Sequence, residues 1–196
     1  MRILAVTVVF AGLLCTALPI HSQERWVAFT AKTIDTVDNV DSGGYHTITR
    51  TYGIILRSSD GTQLEENYAA NSMTRVTGRL TKPSEKTTYY FDYLTHKAFG
   101  QAIKIKKIER VPQTEPIGHE IIGGVTATGY HTLDPDTKKP NGEIWFADRS
   151  PEIIVRTKAA LPDGSTVVRE LSDVEIGQEP NPSRMQLPEG FSVSRP

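Results

Sequence analysis

The sequence predicts a mainly β protein: a single curved antiparallel sheet (half-barrel or open barrel) with few short helices, following an N-terminal signal peptide. Three observations carry this. Apolar and polar residues alternate with a period of two along most of the chain, as in half-buried strands. Asp-Gly turns at Asp60-Gly61 and Asp163-Gly164 separate such runs and supply the positive φ that tight hairpins need. No window of eleven or more residues carries a helical apolar stripe.

Tyr45 to Ser58 and Gln63 to Ala70 read as one hairpin, closed by the turn at residues 59–62. In Met73 to Thr81, Val76, Gly78 and Leu80 share one face, with Arg75, Thr77, Arg79 and Thr81 on the other. Thr87 to Leu94 is rich in Thr, Tyr and Phe, residues that fit a pleated surface. Tyr89, Phe91 and Tyr93 point one way there, and Tyr90 and Leu94 the other. Gln101 to Lys106 alternates isoleucine and polar residues and reads as a further strand. Strands at Val125–Thr132 and Glu143–Asp148 flank Asp134 to Gly142, whose prolines, aspartates, asparagine and glycine predict a solvent loop. Ile153 to Leu161 and Thr166 to Ile176 form a second hairpin about Pro162-Asp163-Gly164-Ser165. Short helical turns are expected at Ser84-Glu85 and at Asn181 to Met185, where proline can open a turn. Roughly nine to eleven strands result, at a spacing expected of an all-β fold. With so few helices to cover it, a large open sheet would curl to shield its apolar face.

The leader occupies residues 1–22 and the β domain residues 23–196. Met1-Arg2 is a minimal positive start, Ile3 to Ala17 is the apolar run, and Ser22 precedes a polar mature start at Gln23. Cleavage is predicted after Ser22, with Ala17 as the alternative; the apolar run falls short of the ~20 residues of a bilayer span. The expected location is therefore periplasmic or secreted. Cys15 lies in the leader and is preceded by Leu13-Leu14, not by the small residues a lipidation site requires. It is the chain's only cysteine, so the mature domain has no thiolate chemistry and no disulfide.

The net charge is −1, with acids and bases interspersed, and no basic tract points to nucleic acid. Lys104, Lys106 and Lys107 read as a solvated strand face. His119-Glu120 opens like a zinc-protease motif, but Gly123 stands where the second histidine belongs. His46 and His131 each sit in a Gly-Tyr-His-Thr tetrapeptide, and two exposed strand histidines are the preferred reading over a paired metal site. No nucleophile elbow and no phosphate-binding glycine loop is present. Glu65-Glu66, Asp148 and Glu152 read as exposed strand-end charges. No cofactor, metal or catalytic residue is expected, and the protein is read as a non-enzyme.

The aromatic residues are the remaining candidates. Trp26, Tyr52, Tyr90 and Trp145, with Phe146, are the candidates to line a hydrophobic groove, against packing in the core, where aromatic residues of β proteins usually lie. Trp145 and Phe146 are adjacent on a strand and face opposite sides, so one of them must lie outside the main core face.

The order of segments in residues 115–193 carries a resemblance. Ile117 to Gly129 reads as strand, glycine turn and strand; Glu143-Ile144-Trp145 and Leu161-Pro162-Asp163-Gly164 follow; the chain closes with Pro182 to Phe191 around Leu187-Pro188-Glu189-Gly190. This layout resembles a group of uncharacterised secreted bacterial β proteins and, more distantly, the lipoprotein-carrier (LolA/LolB-like) superfamily. The resemblance implies a curved half-barrel with an apolar concave face. The long amphipathic helices of a true carrier are absent from the pattern, and Met185 stands where the closing segment more often has an aromatic. The expected function is therefore binding of a lipid or other hydrophobic ligand on a curved sheet. The alternatives are an envelope module that docks a protein partner without a small ligand and, further off, a hydrolase using His46, His119 or His131 with a nearby carboxylate.

Overall fold

A computed structural model describes residues 26–70, 72–104, 115–134 and 136–194. The segment expected to be a leader and the lysines at 106 and 107 lie outside these residues. Twelve strands are described: β1 Phe29–Val40, β2 His46–Arg57, β3 Gln63–Tyr68, β4 Arg75–Lys82, β5 Thr87–Asp92, β6 Lys97–Ala102, β7 Pro116–Ile122, β8 Val125–Leu133, β9 Pro140–Ala147, β10 Ser150–Ala160, β11 Thr166–Ile176 and β12 Ser192–Ser194. All join one sheet in the order β12-β6-β5-β4-β3-β2-β1-β11-β10-β9-β8-β7. Neighbours are antiparallel except β12, which runs parallel to β6. The two helical turns fall at Pro83–Glu85 and Pro182–Arg184, where the sequence placed them.

The sheet is open and curved. Arg57 on β2 donates from Nη1 to the Glu152 carbonyl at the start of β10, 3.3 Å away, although β1 and β11 lie between those strands. Three strand spacings span about 14 Å in a flat sheet, beyond an arginine's reach, so the sheet bends toward this side, the inner face. The β7–β8 turn also folds back on β11, where Val174 N donates to Gly123 O at 2.9 Å.

The sheet carries two separate cores. In the first, Phe29, Ala31 and Leu171 cluster with Ile122, Ala127, Trp145, Ala147, Ile153 and Val155. The second cluster comprises Leu56, Leu64, Leu80, Tyr89, Phe91 and Ala98 and is capped by Met185. Leu56 and Ile55 are neighbours on β2 and point to opposite sides, which places the second cluster on the outer face. The closing segment crosses that face, with Leu187 and Phe191 packed on the cluster and Phe91, Tyr93 and Phe191 meeting edge to face at 5.4–5.8 Å. Leu80, with no exposed surface, stabilises the fold by about 1.5–3 kcal/mol through burial alone.

Four expectations change. The loop after β8 is shorter: β9 starts at Pro140, which pairs with Leu133 past a register shift, and proline is tolerated as a strand's first residue. The strand expected at 101–106 has its start moved to Lys97, because Asp92 accepts bonds from the backbone of Leu94 and Thr95 and closes the turn early; β6 ends at Ala102, and residues 105 and 106 lie outside the described residues. β12, three residues long, is too short to leave a pattern. Glu65 and Glu66 are not exposed strand ends but buried, at 8% and 1% exposure.

Candidate functional site

Glu65 and Glu66 are adjacent on β3 and point to opposite faces. On the inner face Glu65 accepts from Gln63 Nε2 at 2.8 Å, from Arg79 Nη2 and from both terminal nitrogens of Arg169 at 3.3 Å. Arg169 also donates to Asp35, from Nε at 3.0 Å. Cross-strand register brings these groups together: Glu65 faces Arg79 and Asp35 faces Arg169. Burial pushes the Glu65 carboxyl up, but Arg79 and Arg169 outweigh it and hold the group below its ordinary value.

This ion-paired network floors a trough of about 730 Å³ on the inner face of β3–β6. Tyr90 and Phe99 are directly paired on β5 and β6 and line it with ring surface exposed, at 44% and 42%. Asn67, Thr77 and Lys97 complete a mixed polar and aromatic wall. The inner face is thus polar over β3–β6, and its apolar residues Phe29, Ala31, Ile55 and Leu171 lie on β1, β2 and β11.

A second, smaller cavity of about 320 Å³ lies between β2, β10 and β11. Phe29, Ile55, Ile153 and Leu171 form its apolar wall, with Arg57 at its edge. Arg57 is 3% exposed and donates from Nε to Val27 O at 2.9 Å. Its guanidinium lies 4.8 Å from the Phe29 ring centre and 5.4 Å from that of Trp26.

The four aromatic residues singled out in the sequence do not share a groove. Trp26 packs on the β2–β3 turn, where a Cβ at Gly61 would collide with its indole Nε1. Tyr52 is on the outer face, opposite Tyr68 and Ile34. Trp145 is buried in the first core cluster, and Tyr90 alone of the four lines the trough. Trp145 and Phe146 are both 4% exposed. Irregular pairing of β10 with β9 lets both be covered, Phe146 meeting Tyr130 edge-on at 6.0 Å. Glu65, Arg79 and Arg169 were legible only as members of alternating strands; no local signal marks them as partners.

The histidines are scattered. His46 on β2 bonds Asp38 at 3.0 Å, and His131 on β8 is five strands away. His119 bonds the Thr128 hydroxyl at 3.0 Å on the β7–β8 edge, and that hydroxyl donates to Asp148 at 2.6 Å. Among the described residues no group of three or more histidine, cysteine or carboxylate side chains is placed to hold a metal ion.

No protein-family model matches the sequence, and no curated protein matches it. Solved structures match in fold. An uncharacterised conserved protein from Thermus thermophilus aligns with TM-score 0.54 and 11% identity, over 84% of this chain and 90% of that one. A structure of MucB in complex with MucA(peri) aligns with TM-score 0.53 and 10% identity, over 85% of this chain and 56% of that one. The chain therefore spans about half the length of that match. A LolA superfamily protein from Nitrosomonas europaea aligns more loosely, with TM-score 0.42 and 10% identity over 84% and 93% of the two chains. At these identities the likeness to solved structures concerns the fold alone.

Proposed function

We propose that this is an exported, non-enzymatic envelope protein that binds a segment of a partner protein in the inner-face trough. One observation carries this: the trough sets exposed Tyr90 and Phe99 rings beside the Glu65–Arg79–Arg169 network. Such a mixture suits a polypeptide, which brings apolar side chains and hydrogen-bonding backbone together. It suits an acyl chain poorly, because hydrocarbon laid over the ion pairs would strip their water without replacing it. The apolar outer cluster, which a lipid would prefer, is already covered by Met185, Leu187 and Phe191. The fold shared with MucB, whose structure was determined in complex with MucA(peri), is consistent with this reading.

The test is photocrosslinking in the native host, with a benzophenone amino acid replacing Tyr90 on the trough or, as control, Tyr52 on the outer face. The expected result is a discrete polypeptide adduct from position 90 and none from position 52. Lipid adducts at position 90, or equal adducts from both positions, would refute the proposal.

A further inference from the structure

The 320 Å³ cavity beside Arg57 adjoins the trough, sharing Arg169 with its floor, and has an electrostatic peculiarity. Three arginines line it. Arg169 is held by Asp35 and Glu65, and Arg156 by Glu120 and Glu170 at 2.6 and 2.7 Å. Arg57, the most buried of the three, has backbone carbonyls as its hydrogen-bond acceptors, Val27 O and Glu152 O. Its Nη2 is the one buried side-chain nitrogen or oxygen among the described residues without a hydrogen-bond partner. The Glu152 carboxylate is close enough to favour charge on Arg57, but no ion pair joins them among the described residues. A buried guanidinium with an unmet N–H is costly, and such a group calls for an acceptor.

We infer that this cavity is a binding site for a small amphipathic carboxylate, its head accepting from Arg57 Nη2 and its alkyl chain lying against Phe29, Ile55, Ile153 and Leu171. The charge-assisted hydrogen bond would satisfy the one orphan donor, and the apolar wall would dehydrate the chain. The volume stands at the small end of ligand pockets, roughly 300–1,000 Å³, which selects a single short chain over a lipid with several. The site shares Arg169 with the trough but is tested apart from the partner reading, since Tyr90 and Phe99 take no part in it.

The probe is octanoate, titrated calorimetrically into the protein as the cell exports it, against octan-1-ol (chain without charge) and acetate (charge without chain). Octanoate is expected to bind with a Kd below about 1 mM, and octan-1-ol and acetate at least about tenfold more weakly. R57M should weaken octanoate at least about tenfold, R57K should retain part of the affinity, and E152Q, which removes a competing acid, should tighten it. Thr157 lies on the cavity wall and is partly exposed. T157W fills the space without altering Arg57, and must abolish octanoate binding even if R57M does not fold. Octanoate binding no tighter than octan-1-ol, or binding that survives T157W, would overturn the inference, and neither result bears on crosslinking at Tyr90.

Discussion

Arg184 Nη2 lies 2.5 Å from Glu66 Oε2, although 118 residues separate them, and this contact ties the closing segment to the outer face of β3. Arg75 approaches the other carboxylate oxygen at 3.3 Å, and the Tyr93 hydroxyl donates to the same oxygen. Glu66 is 1% exposed, and a buried carboxylate that loses a partner is costly. R184M is expected to destabilise the protein by about 1–3 kcal/mol, with Arg75 and Tyr93 retaining part of the network. Urea unfolding measures this; an unchanged midpoint would mean that the contact contributes nothing.

Phe191 seals the same cluster by packing edge-on against Phe91 and Tyr93. F191A should cost about 2–4 kcal/mol and expose apolar surface that binds a hydrophobic dye in native conditions. A variant with wild-type stability and no dye binding would show that the segment is not a structural cover.

Gly78 on β4 is covered by the Phe91 ring, and a Cβ there would overlap Phe91 Cε2 and Cζ. Ring and methyl cannot share that space, so G78A should displace Phe91 and cost about 1–3 kcal/mol. The double variant G78A/F91L should recover part of the loss in thermal unfolding. No recovery would argue against this contact as the cause.

Glu65 is held below its ordinary value of 4.5 by Arg79 and Arg169 in spite of its burial. A depressed carboxyl contributes stability that is complete above the unfolded value and is lost as pH falls through the folded one. Stability should therefore drop on acidification below about pH 4.5, and E65Q should flatten that limb while lowering stability at neutral pH. Parallel acid limbs in the two proteins would exclude Glu65 as the source.

Tyr93 behaves in the opposite sense. Burial and the bond to Glu66 push its phenol from 10.0 up to about 12. A raised tyrosine contributes stability that is present below pH 10 and lost as pH rises toward 12. Y93F should remove this base-side loss, and ultraviolet difference titration should show one late-ionising tyrosine in the wild type that is missing from the variant.

Much of the fold was legible because its determinants are local. Strand alternation in Met73 to Thr81, the Asp-Gly turns and the proline-opened turn at Asn181 to Met185 depend on φ preferences and side-chain parity, which neighbouring residues set. The groove was not legible. Parity shows that Tyr52 points away from Gly53, but not which face each strand presents after pairing. The aromatic residues picked as a group were therefore divided between two faces, a core and a turn. Likewise a Glu-Glu dipeptide reads as solvated charge until its arginines, supplied by β4, β11 and the closing segment, are brought alongside.

The amino-acid sequence by itself determined the class of structure: its strands, its hairpins and the lack of any cysteine after Cys15. Those features follow from period, turn chemistry and composition. Only the tertiary structure decided which face is which, and hence that Glu65 floors a polar trough, that Glu66 anchors the closing segment and that Arg57 is buried without an acid. The physical reason is that burial and charge pairing are set by residues far apart in the chain. Strand order, register and sheet curvature bring these residues together, and a local pattern encodes none of the three.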